Sequence, residues 1–245
     1  MRTLFVGVIL WLLGSSVGAQ TPVLLIGAED DWAPYSSAEN GQPKGMAVDI
    51  VQAIFAQAKL PVELVSMPYD RCMAEAKAGR LAGCFDTVPD AQMRRDYIFH
   101  AKPLFSDFVA ILMRKDSPVA SMQLRDLENK SVIVTYGYTY GEEFEGNKKI
   151  QRMDAIGDIN VLRMLKAGKG DQAIVYSRIL SHLMRGKGKD MEGAFKVVGR
   201  LPENPLYLTF SRRWPDITEV TKRFNAAHDQ LLKSGAIAAI EKRWD

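Results

Sequence analysis

Histidine and cysteine are scarce, with three and two among 245 residues. His100, His182 and His228 are scattered without metal-ligand spacing, and no H-E-x-x-H or C-x-x-C occurs. No metal centre, no cofactor and no dithiol redox centre is therefore expected. Nor does charge of one sign dominate: the net charge is +3, and Arg94-Arg95 and Arg212-Arg213 are short pairs, not a stripe. A nucleic-acid binder concentrates its basic side chains on one face, so nucleic acid is not an expected partner. The longest apolar run, Leu4 to Leu13, is about half the roughly 20 residues a membrane-spanning helix needs. Nothing marks a catalytic nucleophile. The G-x-S-x-G pattern spelled by Gly14-Ser15-Ser16-Val17-Gly18 lacks the preceding strand of a nucleophile elbow and lies in a segment expected to be removed.

What is present is an ordinary globular composition, 47% hydrophobic and 25% charged, with length enough for one large domain or two modest ones. Arg2, the apolar run Leu4 to Leu13 and the small residues Val17 and Ala19 read as a secretory signal peptide over residues 1–19. Cleavage after Ala19 would release a chain beginning at Gln20 into the periplasm; an uncleaved anchor is the alternative. No cysteine follows that site, so a lipid anchor is not expected. In an oxidising compartment Cys72, early in a helix, and Cys84, in the strand beneath it, are expected to pair as a brace. The alternative is two buried thiols.

The continuous apolar run Val23 to Ala28 predicts a strand buried on both faces. It ends in Glu29-Asp30-Asp31-Trp32-Ala33-Pro34-Tyr35, a loop at a strand's carboxyl end, where open α/β sheets collect ligands. Trp32 or Tyr35 would stack on a ligand there, or simply cap the core. Asn40-Gly41 marks a turn. A helix follows Gly45-Met46-Ala47-Val48-Asp49, with Ile50, Val51, Ile54, Phe55 and Ala58 on one face. Val62 to Met67 alternates as a strand, and Asp70 to Ala78 is a helix stopped by Gly79. Leu81 to Phe85 is a buried strand, and a turn then leads to a short helix carrying Arg94 and Arg95. Further strands are expected at Phe108 to Met113, Ser131 to Thr135, Gln172 to Tyr176 and Leu206 to Phe210. Helices are expected at Asp158 to Ala167, Asp216 to Leu232 and Ala236 to Trp244, and His228 is placed at a surface or boundary. Lys77-Ala78-Gly79 and Lys166-Ala167-Gly168 each close a helix before a strand, a faint repeat of one βα plan.

The stretch Arg71 to Phe105 resembles the first-lobe ligand site of the family 3 periplasmic solute-binding proteins, which serve amino-acid-type ABC importers. Gly45-x-x-Val48-Asp49 resembles the family's opening, and Asp126-Leu127-x-x-Lys130 the start of its second lobe. The ending from Gly235 through Ile240 to Arg243-Trp244 is the most specific match. The order and spacing of these segments carry the resemblance. It implies an α/β, type II-like two-lobe periplasmic binding fold with the ligand cleft between the lobes. Lobe 1 would comprise residues 20–110 and 205–245, and lobe 2 residues 111–204.

The resemblance also implies a site. Arg94 would grip a ligand carboxylate with its planar fork. Counting back from Phe99, however, the family's arginine falls on Met93, so Arg94 requires a shift of one residue. Asp86 and Thr87 would stand beside it, and Arg71 would either reach the cleft or pair with Asp70 or Glu75. From the second lobe, the turn carrying Tyr138 and Thr139 would offer backbone N–H groups to an anion. Tyr176 and Ser177 would close from a strand's end. Tyr176 or Ser177 also stands where relatives place an aspartate for the α-ammonium. Either Asp30, Asp31 or Asp86 holds that group, or the ligand is not a standard α-amino acid. The implied function is capture of an amino acid or related carboxylate by hinge closure, as a monomer delivering to an ABC permease. The rivals are a sensor acting through a partner and an exported dehydratase for prephenate-like acids, with Asp86 as proton donor or acceptor.

Overall fold

The computed structural model describes residues 22–244. The expected signal peptide, 1–19, lies outside the described residues.

Two five-stranded paths form the scaffold. In the first sheet the order is Val62–Met67, Leu24–Glu29, Gly83–Thr87, Asn204–Ser211 and Tyr97–Phe99, with Phe105–Asp107 also pairing to Asn204–Ser211. In the second it is Gln151–Ala155, Ser131–Thr135, Gln172–Tyr176, Val109–Arg114 and Phe195–Arg200. The two match strand for strand: three parallel strands, with the earliest of them in the middle, then an antiparallel strand on the far side. The faint sequence repeat is thus a repeat of topology. The chain passes from one sheet to the other after Asp107 and returns between Arg200 and Asn204. Each sheet is the floor of one lobe.

Equivalent glycines stop equivalent helices. Tyr69–Ala78 ends at Gly79, φ 82°, and Asp158–Lys166 is followed by Ala167 and Gly168, φ 68°. Only glycine enters that left-handed region without a Cβ penalty. Cys72 and Cys84 are joined, their Cα atoms 6.0 Å apart, which pins the first of these helices to its sheet. Gly27, on the neighbouring strand, is required by that bridge, because a methyl group there would overlap Cys72 Sγ.

The helix Met46–Gln57 buries Met46, Ile50, Val51, Ile54 and Phe55. It packs on Ile217–Lys233 through Phe55 and Phe224, ring centroids 5.2 Å apart. Each such side chain contributes about 1.5–3 kcal/mol on leaving water. Asp49 accepts from Trp244 Nε1 at 2.9 Å, so the last helix, Ala236–Trp244, is latched to this layer. His228 departs from expectation: it is buried, 5.4 Å from the His100 ring. His100 Nε2 accepts from the Leu208 N–H at 3.0 Å. Burial, which for His228 outweighs the charge of Asp229, keeps both imidazoles neutral, with pKa values lowered to about 3 for His100 and about 4 for His228.

Candidate functional site

The carboxyl ends of the parallel strands face one another across the lobes. Glu29 ends one strand of the first sheet, and Asp86 and Thr87 end another; Thr135 and Tyr176 end their counterparts in the second. Between them lies a cavity of about 110 Å³, bounded by Glu29, Trp32, Tyr69, Asp86 and Met93 of the first lobe and by Gly137, Tyr138, Thr139 and Tyr176 of the second. A wider chamber of about 330 Å³ shares Glu29, Trp32, Tyr69 and Tyr138 and adds Asp30, Asp31, Thr135 and Asp158, with His182 and Lys187 at its edge. Trp32 joins the lobes, its ring meeting Tyr138 and Tyr176 edge-on at 5.7 and 5.6 Å.

The site is rich in acids. Asp86 is 5% exposed, and neither of its carboxylate oxygens has a hydrogen-bond partner among the described residues. Its backbone adopts φ 67°, a left-handed conformation that aspartate and asparagine tolerate better than most residues. Burial pushes its carboxyl well above the usual range. Glu29 is pushed the same way, by burial first and then by the charges of Asp86, Asp30, Asp158 and Asp31. Asp158 is raised to about 6 by burial, although its Oδ1 accepts from Thr135 Oγ1 at 2.8 Å. Burial likewise raises the phenols of Tyr69, Tyr138 and Tyr176, which stay neutral donors.

The sequence profile of the bacterial extracellular solute-binding proteins, family 3, matches residues 24–245. The chain belongs to that family. It is 20% identical over 229 residues to the probable amino-acid-binding protein YxeM of Bacillus subtilis (strain 168), covering 91% of this chain and 83% of that one. Among solved structures it is similar to a histidine kinase sensor domain resembling periplasmic binding proteins, with TM-score 0.76, 24% identity, and 91% and 95% of the two chains covered. An ancestral arginine-binding protein bound to arginine matches with TM-score 0.73 and 20% identity, covering 91% and 97%. These likenesses establish the two-lobe solute-binding fold.

Within this family 3 fold, Trp32, Asp86, Tyr138, Thr139 and Tyr176 are brought together in the smaller cavity. The other expected residues lie elsewhere. Thr87 is buried behind the wall, its Oγ1 3.2 Å from the Tyr69 hydroxyl. Arg71 is on the exposed face of its helix, outside both chambers. The short helix Ala91–Asp96 is started by Asp90, whose side chain accepts from the Met93 N–H at 2.7 Å. That phase turns Met93 into the cavity and leaves Arg94 exposed, 5.2 Å from the Phe99 ring. Arg212 holds the end of this helix, donating to the carbonyls of Arg94 and Arg95 at 3.0 Å each. The second-lobe turn is committed in part. The N–H groups of Tyr136, Tyr138 and Tyr140 go to Ala155 O, Thr135 O and Glu145 Oε1.

Tyr35 and Ser177 belong to the crossing between the lobes. Both hydroxyls donate to Asp107, which also accepts from the Arg178 N–H at 3.1 Å. One carboxylate thereby joins the Trp32 loop, the crossing strand and the start of the helix Ser177–Arg185. At the second crossing, Asn204 donates to the Tyr176 hydroxyl at 3.2 Å, which in turn donates to Thr139 O at 2.8 Å. Sequence reasoning did not select Glu29, Tyr69, Met93 or Asp158. Glu29 was reachable by the strand-end rule; Tyr69 and Asp158 begin helices, with nothing local to mark them.

Proposed function

We propose that this chain is a periplasmic capture protein, exported through residues 1–19. It takes a small polar ligand between its lobes and hands the closed complex to the permease of an ABC importer. Lobe 1, the lobe built on Leu24–Glu29 and Gly83–Thr87, would receive the ligand first at Trp32 and Asp86. Rotation about the two crossings would then bring Tyr138, Thr139 and Tyr176 over it. The observation that supports this most is the aromatic-walled cavity where the strand ends of both sheets meet, the place at which open α/β sheets hold ligands. In this reading the chain acts as a monomer and catalyses no reaction.

The test is uptake. Cells lacking this protein but retaining the permease should lose import of the bound compound and regain it with the wild-type gene. Unchanged uptake with altered gene expression would instead assign the sensor role, in line with the sensor-domain likeness. Consumption of the compound by the purified protein would assign an enzyme using Asp86.

A further inference from the structure

Resting on the capture reading, we propose that the interlobe site is built for an organic cation that carries no carboxylate, an aliphatic di- or polyamine. Four observations carry it. Asp86 is almost fully enclosed, faces the smaller cavity and has no hydrogen-bond partner among the described residues at either oxygen. A buried carboxylate of this kind is stable in its charged form only when a cation or donor reaches it. The walls around it are aromatic, from Trp32, Tyr69, Tyr138 and Tyr176, and π faces attract ammonium groups.

A ligand carboxylate, by contrast, finds no cationic counterpart there, only neutral donors such as Trp32 Nε1 and the tyrosine hydroxyls. Among the described residues, no arginine, lysine or histidine bounds the smaller cavity, so nothing there neutralises an incoming anion beside the carboxyls of Glu29, Asp86 and Asp90. Three amides of the glycine turn are already taken, one of them by the anionic Glu145. Finally, acids continue into the adjoining chamber as Asp30, Asp31 and Asp158. Glu29 borders both spaces and feels Asp86 in one and Asp158 in the other. Two acidic chambers that share Glu29, Trp32, Tyr69 and Tyr138 in their walls suit a chain with a cationic group at each end. His182 and Lys187 are the cations of the wider chamber, and both are exposed at its edge.

The deciding experiment is calorimetric titration of the mature protein, refolded to strip carried ligand, with molecules that differ only in the carboxylate. The pairs are 1,5-diaminopentane against L-lysine and 4-guanidinobutylamine against L-arginine. Glutamate, glutamine and succinate complete the panel. The amines should bind at least about 10-fold tighter than their amino-acid partners, the penalty of one uncompensated buried charge. Asp86→Asn should weaken the amines by about 100-fold. Lys187→Ala, which removes a competing positive charge, should strengthen them. Tighter binding of lysine or arginine than of its amine, or loss of binding in Lys187→Ala, overturns the proposal. Binding of glutamate, glutamine or succinate without the amines overturns it and leaves the capture reading standing. Silence across the whole panel overturns both.

Discussion

Replacing Asp86 by asparagine should make the empty protein more stable. The change keeps the side chain's shape, and asparagine accepts the φ of 67° at this position. What it removes is a carboxyl that is buried without a hydrogen-bond partner. A carboxyl that ionises near pH 4 in water, if held neutral at pH 7, costs at most about 4 kcal/mol, at 1.36 kcal/mol per pH unit. The substituting amide is itself left unsatisfied, at about 1–3 kcal/mol. The direction at pH 7 is therefore a gain, bounded by about 3 kcal/mol, with each kcal/mol read as roughly 2–4 °C in Tm for a chain of this size. The sign with pH is fixed by the raised folded-state pKa. Below the unfolded-state pKa the wild-type carboxyl is protonated in both states and carries no penalty. The penalty grows as pH rises toward the folded-state value. Thermal unfolding of both proteins, stripped of ligand, at pH 4, 5.5 and 7 reads the difference directly. The buried histidines affect both proteins alike and cancel in the comparison. A variant that is no more stable than wild type at pH 7, or a difference that does not change with pH, refutes the reasoning that Asp86 is a strained, unpartnered acid.

Reducing the Cys72–Cys84 bridge, or replacing both residues by serine, should cost about 3 kcal/mol for a closed loop of this length and lower Tm accordingly; an unchanged Tm would show that the brace is unimportant. Because His228 must charge on unfolding, it contributes stability above about pH 6.5 that is lost as pH falls toward about 4. His228→Leu should therefore flatten the acid limb of the stability–pH curve, and an identical limb would assign that limb to other groups. Asp107→Asn should cost about 1–3 kcal/mol by weakening the bonds from Tyr35, Ser177 and the Arg178 N–H. Since those bonds tie the lobes together, small-angle scattering should also show a more open ligand-free form. A variant as compact as wild type would exclude Asp107 as the latch.

Elements with strong local signals were legible in the sequence. The strands Ser131–Thr135 and Gln172–Tyr176 and the helix Ala236–Trp244 fall where they were expected, because buried runs and a 3.6-residue apolar period are written in consecutive residues. The edge strand Gln151–Ala155 was not foreseen: its side chains, Gln-Arg-Met-Asp-Ala, are mostly exposed, so no apolar pattern announces it. The hairpin Ser36–Glu39 and Gln42–Lys44 was visible only as its Asn40-Gly41 turn. His228 was misjudged for a related reason. Periodicity places a residue on a helix face, but a second helix and the neighbouring His100 decide whether that face is covered.

By itself, then, the sequence determined the class of chain: a two-lobe α/β protein of the solute-binding type with aromatic loops at its strand ends. Tertiary structure decided which of those loop residues meet. Arg94 and Met93 are adjacent in sequence, and the helix phase set by the Asp90 cap sends one to a separate pocket beside Tyr140 and Glu143 and the other into the cavity. Asp86 and Asp158 stand 72 positions apart and border adjoining chambers on either side of Glu29. The charge character of the cleft is a sum over groups brought together by two sheets. It depends on burial and proximity, and neither is a property of any one stretch of chain.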